Sequence, residues 1–141
     1  MEKVVERLNE LINKENIKEV QTALKLKSVS LIYKWLDGKT KPGFKNLVGI
    51  ANYFECSLDY LLGRTEFYES VTIKDLKPFK QQFKSVLKEK GVKFMELVNN
   101  GIMFKGNYTS WIINNSLPST PTLIRLADYL GVSVDHLIGR E

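Results

Sequence analysis

The chain has 141 residues, 43% hydrophobic and 26% charged, which is an ordinary composition for a folded protein. No apolar run approaches the roughly 18 to 20 residues of a membrane span, and the single cysteine, Cys56, excludes an internal disulfide and a thiolate metal cluster. The net charge of +5 weakly indicates a polyanionic partner. Because the charged, amphipathic start of the chain has no signal-peptide character, we expect a cytoplasmic protein without a membrane partner.

Apolar residues in the first half of the chain recur at helical spacing. Val4, Leu8, Leu11 and Ile12 lie at positions i, i+4, i+7 and i+8 of one helical face. No stretch alternates with the period of two that a half-buried strand requires. Five helices are predicted, at residues 3–13, 17–24, 29–36, 44–54 and 58–62.

Residues that suit helix ends support these boundaries. Asn16 followed by Glu19 resembles a capping box at the start of the second helix, and Ser28 can accept the first free N–H groups of the third. Gly38 can end the third helix, since glycine adopts the left-handed conformation at little cost.

Residues 65–76, TEFYESVTIKDL, are predicted to form a linker between two domains. Val71, Thr72 and Ile73 favour an extended backbone. Phe67 and Tyr68 are expected to pack against one of the domains, in preference to forming a separate partner site.

The second half of the chain has the same succession of helix signals. Thr120 followed by Pro121 predicts a capped helix start, Gly131 and Asn114 are candidates for left-handed helix ends, and Ser133 can cap the last helix. Five further helices are predicted, at residues 77–90, 93–100, 104–112, 121–130 and 134–138.

The two halves form an internal repeat. Residues 35–64 align with residues 111–140 at an offset of 76 without a gap, with ten identical pairs that include Trp35 with Trp111 and Asp59 with Asp135. The apolar face of the first helix repeats at an offset of 75. The sequence therefore predicts two similar units, residues 1–64 and 77–141.

Three motifs of the first unit resemble the Cro and phage-repressor (XRE-like) family. They are W-x-x-G-K-x-x-P from Trp35 to Pro42, L-x-x-x-A-x-Y from Leu47 to Tyr53, and the ending S-x-D-x-L-x-G-R. Residues 106–140 are similar. The resemblance implies an all-α fold of two tandem five-helix lambda-repressor-like helix-turn-helix domains. In that family the third helix enters the DNA major groove and the second crosses the backbone.

The resemblance also implies which residues contact DNA. Val29, Ser30 and Lys34 fall at base-contact positions, and Ser28, Lys39 and Lys41 fall near phosphates. Helical geometry agrees, because Ile32 and Trp35 share the core face of the third helix and leave Val29, Ser30, Tyr33 and Lys34 outside. The full set predicted to contact DNA in the first domain is Lys27, Ser28, Val29, Ser30, Tyr33, Lys34, Lys39 and Lys41.

The second unit offers weaker candidates for DNA contact. Between residues 101 and 121 it has a single lysine and no acidic residue, whereas residues 25–45 have six lysines and one aspartate. The exposed candidates are Lys105, Gly106, Asn107, Thr109, Ser110 and Asn115. Trp35 and Trp111 are interpreted as core residues and not as platforms for stacked bases.

The sequence leads to two hypotheses for function. The first is a sequence-specific regulator of transcription that binds double-stranded DNA, of the bacterial or phage repressor type, with a homodimer left open. The second is a helical protein-interaction module, such as an antitoxin or adaptor, in which the second domain mediates dimerisation. An enzyme is disfavoured, since the chain has one histidine, one cysteine and no glycine-rich phosphate loop. No cofactor, metal or small-molecule ligand is predicted.

Overall fold

The computed structural model of the protein describes residues 2–70 and 77–140. Within these ranges every regular element is helical, which confirms the predicted all-α class. The chain divides into two compact units, Met1–Ile73 and Lys74–Glu141. Residues 71–76 of the predicted linker, which include the β-prone Val71, Thr72 and Ile73, lie outside the described residues. So do Met1 and Glu141, the first residue of the first predicted domain and the last residue of the second.

Residues 2–70 of the first unit form five α-helices, each within two residues of its predicted bounds. No helix in the described part of the chain is both long and apolar enough to cross a bilayer. The helices are α1 Glu2–Leu11, α2 Ile17–Ala23, α3 Ser30–Leu36, α4 Phe44–Phe54 and α5 Leu58–Leu61.

The core of the first unit is built on the predicted apolar faces. Val4 and Leu8 of α1 and Ile12 just after it are buried, and so are Ile32 and Trp35 of α3. The interpretation of Trp35 as a core residue is confirmed.

The start of α2 is not the predicted capping box. The Asn16 side chain makes no capping bond to α2. Its Oδ1 accepts from the Asn13 N–H at 2.9 Å, and its Nδ2 donates to the Leu11 carbonyl at 2.9 Å. Asn16 therefore closes the connection from α1 and does not cap α2.

Residues 65–70 pack against the first unit, although the sequence assigns them to a linker. Glu66 Oε2 accepts from Arg7 Nη2 at 2.9 Å, and this bond to the guanidinium is the main reason why the pKa of Glu66 is lowered. Ser70 forms an isolated antiparallel bridge with Cys56.

The two aromatic residues of this segment behave differently. The Tyr68 hydroxyl donates to the Phe54 carbonyl, and its ring packs edge-on against Tyr60. Phe67 stays 73% exposed, so the expectation that both rings pack against a domain holds for Tyr68 and is wrong for Phe67.

Residues 77–140 of the second unit form four α-helices and one π-helical turn. Its third element is a π-helical turn of five residues, which is shorter than the helix predicted at residues 104–112. The helix α8 begins one residue before its predicted start, so Ser119 and not Thr120 is the residue before the helix. The elements are α6 Phe79–Lys90, α7 Phe94–Asn99, the π-turn Thr109–Ile113, α8 Thr120–Leu130 and α9 Val134–Ile138.

The repeated S-x-D-x-L-x-G-R ending forms the same structure in both units. The hydroxyl of Ser57 accepts from the Tyr60 N–H at 3.0 Å, and that of Ser133 accepts from the His136 N–H at 2.9 Å. An ion pair then joins the aspartate to the arginine, Asp59 to Arg64 in one unit and Asp135 to Arg140 in the other. These capped helices explain why the motif recurs.

A tyrosine of α4 or α8 is bonded to a glutamate of the second helix in each unit. The Tyr53 hydroxyl donates to Glu19 and the Tyr129 hydroxyl to Glu96, both at 2.6 Å. Donation to a carboxylate stabilises the phenol, which raises the pKa of both tyrosines. The bonds fix the second helix of each unit against the helix that follows the predicted recognition element.

Candidate nucleic-acid interface

The turn between α2 and α3 is held by hydrogen bonds at its first corner. Lys25 adopts the left-handed conformation, with φ of 57°, and its N–H donates to the Thr22 carbonyl at 3.1 Å. The Leu26 N–H donates to the Gln21 carbonyl at 3.1 Å, and Gln21 Nε2 donates back to the Leu26 carbonyl at 3.2 Å. This two-way closure sets the direction in which the chain leaves α2.

The start of α3 uses the predicted serine. Ser28 Oγ accepts from the Ser30 N–H at 3.3 Å, and α3 begins at Ser30, one residue later than predicted. Ser28 is exposed and Val29 is half-buried. Both lie immediately before the helix.

The helix α3 has one core face and one solvent face. Ile32 and Trp35 are fully buried, whereas Ser30, Tyr33 and Lys34 are exposed. Exposed hydroxyl and ammonium groups on one short helix can form hydrogen bonds with the edges of bases.

The loop after α3 stays close to the end of that helix. The N–H of Lys39 donates to the Lys34 carbonyl at 2.9 Å, and Gly38 takes the left-handed conformation with φ of 73°, as predicted. Lys39 and Lys41 are exposed, and Pro42 is buried and anchors the loop.

Six lysines surround α3, and all six are exposed. None of their ammonium groups forms an ion pair with a carboxylate in the described parts of the chain, so they can meet an external anion. They are Lys25, Lys27, Lys34, Lys39, Lys41 and Lys45.

Comparison with protein families assigns this region. Residues 8–61 match the family model described as Helix-turn-helix. This span runs from Leu8 in α1 to Leu61, the last residue of α5, and includes α3 with its lysines. The family consists of DNA-binding regulatory domains of the XRE type and is not an enzyme family. Neither the curated proteins nor the solved structures give a significant match.

Residues 111–140 of the second unit align with residues 35–64 of the first, but the third element of the second unit differs from α3. Gly101, with φ of 72°, occupies the place of Lys25. Asn107 Oδ1 accepts from the Phe104 N–H at 2.8 Å, and the π-turn follows. The predicted left-handed helix end at Asn114 is wrong by one residue, because Asn115 has that conformation.

The residues of the second unit that were predicted to contact DNA differ in their exposure to solvent. Lys105, Gly106 and Asn115 are exposed, but Asn107 and Ser110 are only half-exposed. The side-chain oxygen of Asn107, Oδ1, already accepts a hydrogen bond from the Phe104 N–H.

Between these positions lies an open groove of about 550 Å³, which the sequence did not predict. The rings of Phe94 and Tyr108 meet edge-on at 5.0 Å along it. The groove is lined by Phe94, Met95, Lys105, Gly106, Tyr108 and Thr109. No pattern in the sequence distinguishes these residues from core residues.

Proposed function

We propose that the chain is a transcriptional regulator of the repressor type that reads double-stranded DNA through α3 of the first unit in the major groove. The observation that carries this proposal is the surface of α3, where Ser30, Tyr33 and Lys34 are exposed. The lysines around it form no ion pair with a carboxylate of residues 2–70 or 77–140. The family match at residues 8–61 supports it.

The charges around α3 suit a phosphate backbone. Each lysine that neutralises a phosphate releases condensed counterions, and this makes binding salt-dependent. In the proposal Lys27, Ser28, Lys39 and Lys41 contact phosphates and orient the domain. The bases are contacted by four residues, which give the domain its preference for one DNA sequence: Val29, Ser30, Tyr33 and Lys34.

We further propose that the two units are tandem domains of one fold, with a linker after residue 70. The serine caps, the ion pairs and the tyrosine to glutamate bonds shared by the two units support this. The first domain provides most of the DNA affinity, because only it concentrates lysines around the third helix.

Replacing Lys34 by alanine is expected to weaken binding to a selected DNA site by about 1 to 3 kcal/mol and to relax the preference at one base pair, as for a direct base contact. The measurement selects sites from random duplex DNA with the intact protein and then titrates wild type and variant on them. Lys14→Ala is the matched control, since Lys14 is an exposed lysine before α2. If Lys34→Ala keeps both affinity and base preference, the proposed register of α3 is wrong.

The division between the two domains has a separate test. The double substitution Lys39→Ala and Lys41→Ala should reduce the slope of log affinity against log salt concentration by the amount expected for roughly two phosphate contacts. It should weaken the affinity for all DNA sequences alike. Lys105→Ala should leave the slope nearly unchanged. The slopes come from titrations of the full chain at several salt concentrations. An equal loss for Lys105→Ala would assign phosphate contacts to both domains.

The second candidate function, a protein-interaction module, is favoured by the apolar groove of the second unit. Site selection distinguishes it from the first, because such a module would enrich no DNA sequence.

A further inference from the structure

The helix α6 carries a row of lysines along one side. Lys80, Lys84 and Lys88 are four residues apart, so they lie on one face of the helix at steps of about 6 Å. Lys84 and Lys88 are exposed and Lys80 is half-buried. We call these three residues the lysine stripe.

The charge of the lysine stripe is not neutralised within the parts of the chain that the structure describes. None of its ammonium groups forms an ion pair with a carboxylate of residues 2–70 or 77–140. Glu89 is the single acidic residue of α6, and its Oε2 lies 3.0 Å from His136 Nε2 of α9. The ammonium groups of the stripe can therefore bind an external anion.

The fold does not require lysines at these positions. The first helices of the two units are related by an offset of 75, and at that offset the first unit has uncharged residues where the stripe lies: Val5, Asn9 and Asn13. The helix α1 forms and packs with these residues in place. The positive charge of the stripe therefore needs an explanation other than the stability of the helix.

In the first unit, the corresponding side of α1 adjoins the end of the third helix. Asn9 Nδ2 donates to the carbonyl of Leu36, the last residue of α3, at 3.0 Å. Lys84 corresponds to Asn9, and α6 packs against the π-turn through Phe83 and Trp111, whose ring centroids are 5.8 Å apart. The repeat thus relates the stripe to the side of the first unit at which α3 ends.

The two units place positive charge differently in this region. The loop after α3 contains Lys39 and Lys41, whereas the corresponding residues after the π-turn are Asn115 and Leu117. The second unit carries its lysines on α6 instead.

We propose that the lysine stripe binds phosphates of double-stranded DNA beside the site that the first unit reads. This inference rests on the proposed function of the first unit, which brings the chain to DNA. Once the first unit is bound, contact by the second is intramolecular, and a linked site acts at an effective concentration on the order of millimolar. A few exposed lysines then suffice, whereas an acidic protein would have to be bound from solution.

Contacts of this kind add affinity without a preference for sequence. Phosphate contacts orient a protein on the duplex and carry no base information directly. The stripe is about 12 Å long, and the phosphates of one strand follow one another at roughly 3.4 Å along the duplex axis, so each ammonium group can meet a phosphate. The second unit then contributes to binding without using its third element, and the first unit still provides most of the affinity.

The double substitution Lys84→Gln and Lys88→Gln in the intact protein tests the stripe on mixed-sequence duplex DNA. Loss of two phosphate contacts should reduce the slope of log affinity against log salt concentration by about 1.8. Raising the salt concentration from about 50 to about 200 mM should then cost the wild type about tenfold more affinity than the variant. Glutamine and lysine have similar helix propensities, and circular dichroism melting checks that the variant is folded.

The matched control is the double substitution Lys14→Gln and Lys90→Gln. It removes the same charge from two exposed lysines outside the stripe. Lys90 belongs to α6, but it follows Lys88 by two residues and therefore lies on another side of the helix. The control should leave the slope nearly unchanged.

Each of three results would overturn the proposal. The first is an unchanged slope for the stripe variant, and the second is an equal reduction for the control, which would mean that only net charge matters. The third is a stripe variant that binds DNA like the wild type but no longer binds vesicles containing phosphatidylserine, which would assign the stripe to an anionic membrane.

Failure of the proposed function is read from a different measurement. If the wild type enriches no DNA sequence in site selection, sequence-specific binding by the first unit is refuted. The titrations on mixed-sequence DNA still give their own result for the lysine stripe. If the stripe variant selects the same sequence as the wild type but with a lower salt slope, both proposals are supported.

Discussion

Replacing Trp35 by alanine is expected to lower the free energy of unfolding of the first unit by about 3 to 5 kcal/mol. Trp35 is fully buried on the core face of α3, where it packs beside Ile32. Truncation leaves a cavity that the short helices around it cannot fill by small shifts. For a domain of this size the loss is a large share of the total stability.

Trp111→Ala should have a similar effect on the second unit. The indole packs edge-on against Phe79 at 6.0 Å between ring centroids and against Phe83 at 5.8 Å, so its removal also separates these rings from their neighbour. Each substitution should lower the melting temperature of its own unit first, as followed by calorimetry of the full chain.

The matched control for Trp35 lies on the same helix. Tyr33→Ala removes a large aromatic side chain from the exposed face of α3 and should change melting little. A Trp35→Ala variant with unaltered melting but weaker DNA binding would refute the core role and favour stacking on bases.

Replacing Asp135 by alanine is expected to destabilise the second unit by about 3 to 5 kcal/mol, comparable to the loss of a core tryptophan. Asp135 and Arg140 form an ion pair in which both side chains are only 2% exposed. Removing the carboxylate takes away the opposite charge that Asp135 provides to the buried guanidinium of Arg140, and this loss costs free energy because the guanidinium is shielded from water.

The repeat provides a matched comparison for this effect. Asp59 and Arg64 form the equivalent pair in the first unit at 2.9 Å, but their side chains are 17% and 20% exposed. Because water can reach Arg64, Asp59→Ala should cost clearly less than Asp135→Ala. Chemical denaturation of both variants measures the difference. Equal losses would mean that burial does not set the strength of the pair.

Several features of the molecule follow from its sequence alone. The offset of 76 pairs Trp35 with Trp111 and Ser57 with Ser133, and in the structure both tryptophans are core residues and both serines cap helices. Such features are predictable because helical period and N-terminal capping depend on residues within a few positions of one another. Helical spacing also predicted that Lys34 lies on the outer side of the third helix, and it is exposed.

Other features were decided by contacts and backbone geometry that the sequence pattern does not show. Glu66 looks like part of a charged linker, yet Arg7, far away in sequence, binds it and fixes residues 65–70 to the first unit. Asn16 resembles a helix cap, but nearby groups at the end of α1 compete for its amide. A single-residue change in winding at the π-turn moves the left-handed residue from Asn114 to Asn115.

The exposed apolar residues of the second unit show most clearly what the sequence could not determine. Met95, Phe104, Tyr108 and Ile113 occur among helical residues and, by composition, could all belong to a core. Only the tertiary structure shows that Leu97, Met103 and Trp111 already fill that core and that the others remain at the surface. Removal of apolar surface from water drives both the burial of a side chain in a core and its binding to a partner. Whether a hydrophobic residue lies in the core or at the surface therefore depends on which neighbours the folded chain provides.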